Sequence, residues 1–247
     1  MSAGDVADLQ SAEQWALGLS QAGLVNISGV GLAHPDAGRA MQRLQRRASA
    51  AGFDLAIASG HRSYRRQLAI FNAKVRGERP VYSEGGQELL HKDMDDRAWL
   101  HAILRYSALP GTSRHHWGTD FDVWDRNAVS EDYPLRLEPA EYDSDGPFAE
   151  LTDWLSTLIR DDDSEGFFRP YAEDRGGVAV EPWHLSHRPS ATVFASHLSL
   201  QRLLPLWSGT GHVPDETRPM EALELISLVA AEAEALLQRY VGLDSGQ

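Results

Sequence analysis

Apolar residues recur along this chain with two different periods, and the switches between them predict a mixed fold. Ser11 to Gln14 has the form of a capping box opening a first helix, with Trp15, Leu17 and Leu19 as its apolar content. A second helix is expected from about Pro35 to Ala50, since proline suits a first turn and Gly52 follows the last one. Residues 54–59, DLAIAS, read as a buried strand. After the tight GHRS connection, residues 63–75 return to helical spacing, with Leu68, Phe71 and Val75 on one face.

Residues 77–107 carry a weak, polar pattern, with a short helix expected around 95–106; this segment reads as an insertion that overhangs a site. Residues 119–124 alternate as a strand does, and an acidic loop over 125–145 follows. Gly146-Pro147 opens an amphipathic helix through Phe148, Leu151, Trp154, Leu155 and Leu158. Residues 178–185 are another strand candidate, with Pro182 marking an edge or an end. Helices near 190–204 and 219–241 complete the chain, the latter closed by Gly242. Strands and helices do not alternate regularly. The expected class is therefore α+β, a small mainly antiparallel sheet flanked by helices, with a helical C-terminal extension. The expected organisation is a main domain over residues 1–188, its core about 53–188 and its insertion about 77–107. Residues 189–247 are an extension packed on the same domain, and a monomer is expected.

Composition narrows the chemistry. A formal charge of −13 argues against nucleic acid and against docking on an anionic membrane. Cysteine is absent, so disulfides, thiolate catalysis and Cys-type zinc sites are excluded, and any metal must be held by His, Asp or Glu. No stretch approaches the roughly 18 apolar residues of a membrane span. The first residues lack a basic region and an apolar core, so they do not read as a signal peptide. The expectation is a cytoplasmic chain as encoded, or a periplasmic one if its N-terminus has been trimmed.

Two segments carry the chemistry. PGTSRHHWGTDFDVWD, residues 110–125, and Glu181-Pro182-Trp183-His184 together offer His115, Asp122 and His184 as metal ligands, with Glu181 as a carboxylate that need not ligate. Two imidazoles and one carboxylate suit zinc in a hydrolytic enzyme that keeps a fourth position for water, and the extra carboxylate suits the proton acceptor. His115 and His116 are adjacent and point to opposite sides in an extended chain, so only one can comfortably join Asp122. Asp120 and Asp122 share a face of the expected strand, where two buried carboxylates demand a cation or donors. His187 is a spare imidazole, better suited to the surface or to a position behind the ligands.

The pattern Ser113-x-His115-x-x-Gly118-x-Asp120-x-Asp122, followed by Glu181-x-Trp183-His184, resembles the D-alanyl-D-alanine carboxypeptidase and dipeptidase family of zinc peptidases, the VanY type (peptidase M15). Ser59-Gly60-His61-Arg62-Ser63-Tyr64-x-x-Gln67 is similar to that family's segment bearing an essential arginine, and Pro110-Gly111-Thr112-Ser113 to its usual lead-in. The resemblance spans about residues 53–187. It implies one Zn2+ per chain on His115, Asp122 and His184, with Glu181 as general base and Arg62 stabilising charge on the substrate carbonyl. Ser113 and Gln67 are implied as pocket-lining residues. Asp120 departs from the small residue usual in the family, and His61 from its usual tyrosine.

The implied function is a zinc metallopeptidase, a carboxypeptidase removing a terminal D-amino acid from a peptidoglycan-derived peptide such as one ending in D-Ala-D-Ala. The alternatives are a cell-wall endopeptidase of the same fold and a non-catalytic zinc-stabilised binding module. A cluster of Arg62, Arg65, Arg66 and Arg114 is expected to help admit a substrate with a free carboxylate.

Overall fold

Proline at the first turn fixes where the longest helix begins. The computed structural model describes residues 11–211 and 220–242, and within it helix α1 runs Pro35–Ala50, with His34 as its cap: Nδ1 accepts the Asp36 N–H at 3.2 Å. A short hairpin precedes it, β1 (Val25–Ile27) against β2 (Gly31–Ala33). The chain then enters β3, Leu55–Ser59, and turns into α2, Tyr64–Val75, capped by the Ser63 hydroxyl. The insertion contains a two-residue hairpin, β4 (Val81–Tyr82) with β5 (Glu88–Leu89), and α3, Asp96–Leu104, capped by Asp95. Strand β6 (Asp120–Asp125), helix α4 (Ala149–Arg160), β7 (Phe167–Phe168) and β8 (His184–His187) follow. Four C-terminal helices close the order: α5 (Arg188–Ala195), α6 (Leu200–Trp207), α7 (Ile226–Ala231) and α8 (Ala233–Tyr240).

The central sheet is antiparallel throughout, in the order β3-β6-β8-β7. One face is apolar: Leu55, Phe121, Val123 and Leu185 pack against Met41 and Leu44 of α1 and Leu151 and Leu155 of α4. A separate core joins α2 and α3 to the C-terminal helices, with Leu68, Phe71, Trp99, Phe194, Trp207 and Leu237 among its buried members. The C-terminal helices are thus built into the same core as α2 and α3. No helix among the described residues is long and apolar enough to cross a membrane.

Several expectations need correction. The strand expected over 178–185 begins only at His184, because Pro182 has no N–H for a ladder and the His184 N–H turns back to the Glu181 carbonyl at 3.1 Å. The helix expected over 190–204 is two helices. Leu198 turns into the core between them, and Ser199 is extended. The last helix likewise breaks at Glu232, and its expected start at Pro219 lies outside the described residues. Ser11 is helical, not the cap expected of it.

Candidate metal centre and active site

Strand register places the polar groups. Asp120 pairs with Ser186 and Asp122 with His184 across β6 and β8, while Phe121 and Val123 point into the apolar core. Strand β3 meets β6 with a bulge between Ile57 and Ser59, which brings Ser59 opposite Asp122 and starts the turn carrying Arg62. Residues 114–117 form a 3-10 turn instead of the extended segment expected, and the two imidazoles still diverge. Gly118 ends this turn with φ +70, where a Cβ would meet the His34 backbone nitrogen at 2.9 Å. Only glycine fits that corner, which aims His115 back over the sheet.

His115, Asp122 and His184 are all buried, and one donor atom from each lies within 4.8 Å of the others. His115 Nε2 is 3.3 Å from Asp122 Oδ2, and His184 Nδ1 is 3.4 Å from Asp122 Oδ1. The opposite nitrogen of each ring is committed elsewhere. His115 Nδ1 faces the Gly60 carbonyl at 2.9 Å, and His184 Nε2 faces Asp120 Oδ1 at 3.0 Å. Those acceptors suit ring protons on the far side, the tautomer in which His115 Nε2 and His184 Nδ1 turn their lone pairs toward Asp122. His116 does the opposite job: Nδ1 lies 2.6 Å from the Arg62 carbonyl, and Nε2 accepts the Gly111 N–H at 3.0 Å. Complete burial pushes its pKa down to about 3, so it is a neutral tie between two loops.

Asp120, fully buried, accepts from Arg114 Nε at 2.8 Å, from the Thr119 hydroxyl at 2.6 Å and from His184. The departure from the family pattern is therefore a carboxylate clamped behind the His184 imidazole. Glu181 Oε2 lies 3.0 Å from His184 Nδ1, on the open side of the ring. Burial raises the Glu181 pKa and nearby Asp122 adds to this, against the lowering effect of His184. Burial opposes charge on His184, yet its hydrogen bonds to Asp120 and Glu181 together with the field of Asp122 push it up to about 10. These carboxylates collectively call for a cation.

Arg62 reaches the same pocket, with its guanidinium fixed by Gln67 Oε1 at 2.8 Å and Ser59 Oγ at 2.9 Å. Gln67, expected to line the pocket, sits instead wholly buried behind Arg62, its amide donating to the Ala108 carbonyl at 2.7 Å. Ser113 does line the pocket, which has a volume of about 320 Å³. Of the arginines expected to gather there, only Arg62 and Arg114 do, and Arg114 is committed to Asp120 and Ser186. Sequence reasoning missed Tyr171, whose ring stands edge-on to His184 at 5.1 Å. It lies in an irregular stretch with no motif around it. His187 faces away, bonded to Ser190 at 2.9 Å.

The VanY sequence pattern, described as D-alanyl-D-alanine carboxypeptidase, matches residues 32–190, which contain every residue named at this site. This chain belongs to the VanY family. An uncharacterized protein of Haemophilus influenzae is 34% identical over 103 residues, 41% of this chain and 76% of that one. A second uncharacterized protein of that organism is 44% identical over 71 residues, 29% of this chain and 49% of its own length. Among solved structures, VanYB in complex with D-alanine-D-alanine is 23% identical, with a TM-score of 0.47, covering 73% of this chain and 87% of that one. As a member of the VanY family, this protein is an enzyme that hydrolyses peptidoglycan peptides.

The donor set of this VanY chain fits a divalent cation. Asp122 Oδ1 is buried without a hydrogen-bond partner, 3.4 Å from His184 Nδ1. An orphaned carboxylate oxygen in that position is costly unless a cation meets it.

Proposed function

We propose that this protein is a zinc-dependent carboxypeptidase that hydrolyses the terminal peptide bond of a peptidoglycan-type peptide ending in a D-amino acid, D-Ala-D-Ala or a related sequence. The observation that carries this reading is the convergence of His115, Asp122 and His184, with Glu181 beside them and Arg62 in the same pocket. His115 Nε2, Asp122 and His184 Nδ1 hold one zinc ion per chain. Two imidazoles and a carboxylate with no thiolate match zinc in a site that keeps a position open. When bound, the ion supplies Lewis acidity toward a water and a carbonyl oxygen.

The chain's own groups do the rest. Glu181 takes the proton from the attacking water and returns it to the departing amine nitrogen. Its raised pKa suits both transfers, because proton exchange is most efficient between groups of similar basicity. Arg62, held by Gln67 and Ser59, donates to the carbonyl oxygen as negative charge grows there. Removing one such donor typically slows turnover by about 100- to 1,000-fold. Ser113 contacts the bound peptide from the pocket wall. Asp120 keeps the His184 ring proton on Nε2 and so keeps Nδ1 available.

The test couples metal analysis to hydrolysis of tetra- and pentapeptides ending in D,D or L,D pairs. One zinc per chain and release of a single terminal residue are expected. Glu181→Ala should abolish hydrolysis with metal content still near one per chain, whereas His184→Ala should lose the metal. Normal turnover by Glu181→Ala, or internal cleavage of the peptides, overturns the reading.

A further inference from the structure

The lining of the catalytic pocket includes two cations that no side chain among the described residues pairs directly. Lys74, near the end of α2 and one turn after Ile70, lines the pocket, and so does Arg79 on the segment leading into β4. Among the described residues neither side chain has a hydrogen-bond or ion-pair acceptor, although the neighbouring Arg76 pairs with Glu78 at 2.8 Å. The Lys74 ammonium faces Arg79, Arg62 and Glu181. Burial first, then the two guanidinium groups, push its pKa down to about 8 against the opposing pull of Glu181. A partly buried ammonium without a hydrogen-bonded acceptor is costly to a fold, so its presence in a pocket wall calls for an anion that arrives from outside.

The position of this charge selects the anion. Glu181 and Asp122, which line the same pocket, repel a carboxylate. A peptide with its free carboxylate at Lys74 and Arg79 therefore lays its last peptide bond toward Glu181 and Arg62. A chain continuing past the cleavage point would instead set a neutral amide against two unmatched cations. Gly86 and Glu138, from separate loops, also line the pocket and lie near each other, since a Cβ on Gly86 would be 3.4 Å from Glu138 Oε2. We infer that Lys74 and Arg79 form the subsite that grips the free α-carboxylate of the residue being released, making the enzyme exo-acting. This rests on the proposed hydrolysis of peptides with a D-amino-acid terminus, and it assigns a role to two residues that no motif marks.

The test compares acetyl-D-alanyl-D-alanine with its C-terminal amide, using the zinc-loaded full chain. In hydrolysis, Lys74→Met and Arg79→Gln should each raise KM for the acid by about 10- to 100-fold, as expected for a lost charge-assisted hydrogen bond, and leave kcat close to wild type. The amide, a poor substrate for the wild type, should change less than twofold, and Arg79→Lys should recover most of the loss. Calorimetric binding of both ligands to Glu181→Ala, with and without Lys74→Met, needs no turnover and so separates this inference from the hydrolytic reading. There the acid should bind at least tenfold tighter than the amide, and Lys74→Met should erase the difference. Lys74→Met should also raise the melting temperature at pH 7, because an uncompensated ammonium is removed. Equal losses for acid and amide, no preference for the acid in Glu181→Ala, or a lower melting temperature in Lys74→Met overturns the assignment.

Discussion

At the scale of single residues, the metal site depends on which nitrogen of each ring carries the proton. His184 has a carboxylate on both sides, Asp120 at Nε2 and Glu181 at Nδ1, and only the Asp120 contact is compatible with ligation through Nδ1. Replacing Asp120 should therefore act on the metal before it acts on the chemistry. Asp120→Ala should weaken zinc affinity by about 10- to 100-fold, measured by competition with a chromophoric chelator, and Asp120→Asn by less because its amide oxygen still accepts the ring proton. Unchanged affinity in Asp120→Ala would remove its positioning role. Lys74 gives a second prediction at this scale. Its pKa is pushed down to about 8 by burial and by Arg79 and Arg62, against Glu181, so it is charged below that pH and neutral above it. The kcat/KM of a substrate with a free carboxylate should fall as pH rises through about 8, while that of the matching amide should not. The convergence of His115, Asp122 and His184 was legible in the sequence, since with cysteine absent few residue types can hold a metal. The burial of Gln67 behind Arg62 was not, because the helical pattern places Gln67 on α2 without saying which neighbour fills the space before it.

At the scale of elements, legibility followed length and punctuation. Helix α1 matches its expected bounds because Pro35 and Gly52 bracket it, and α2 and α3 begin one residue after their caps, Ser63 and Asp95. The hairpins β1-β2 and β4-β5 have strands of two or three residues, too short to show a period, and β7 is shorter than any alternation test. The apolar spacing of the C-terminal helices continues across the breaks at 196–199 and 232, so periodicity alone does not mark them. The corner that presents His115 gives the element-scale prediction. Gly118→Ala combines a left-handed φ of +70 with a Cβ 2.6 Å from Leu24 Cδ2 and 2.9 Å from the His34 nitrogen. A residue forced into that region costs about 1–3 kcal/mol before any overlap is counted. Melting should fall by roughly 5–15 °C, with zinc affinity falling alongside, at about 2–4 °C per kcal/mol for a chain of this size. Gly52→Ala is the control. Its φ is +99 but nothing lies within 4 Å of the added Cβ, so only the conformational part of the loss should remain, and His115 should be unaffected.

At the scale of the molecule, the question is whether the metal makes the fold or the fold makes the metal site. The sheet is held by an apolar face against α1 and α4, and the second core joins α2, α3 and the C-terminal helices without any ligand residue in it. The candidate ligands come from two adjacent strands and one turn, all positioned by backbone pairing and by glycine geometry at Gly118. Removing the ion should therefore leave secondary structure intact and withdraw only the stabilisation that binding adds to the native state. For a free concentration 1,000-fold above Kd this is about 4 kcal/mol. With about 2–4 °C per kcal/mol, dialysis against a chelator should lower the melting temperature by roughly 8–16 °C. The far-UV circular dichroism below the transition should not change. Hydrolysis should vanish with the ion, and both activity and melting should return on adding one equivalent of zinc. Loss of the helical signal on chelation would mean that the two cores do not suffice. A melting temperature and activity indifferent to chelation would mean that His115, Asp122 and His184 are gathered for some purpose other than a metal.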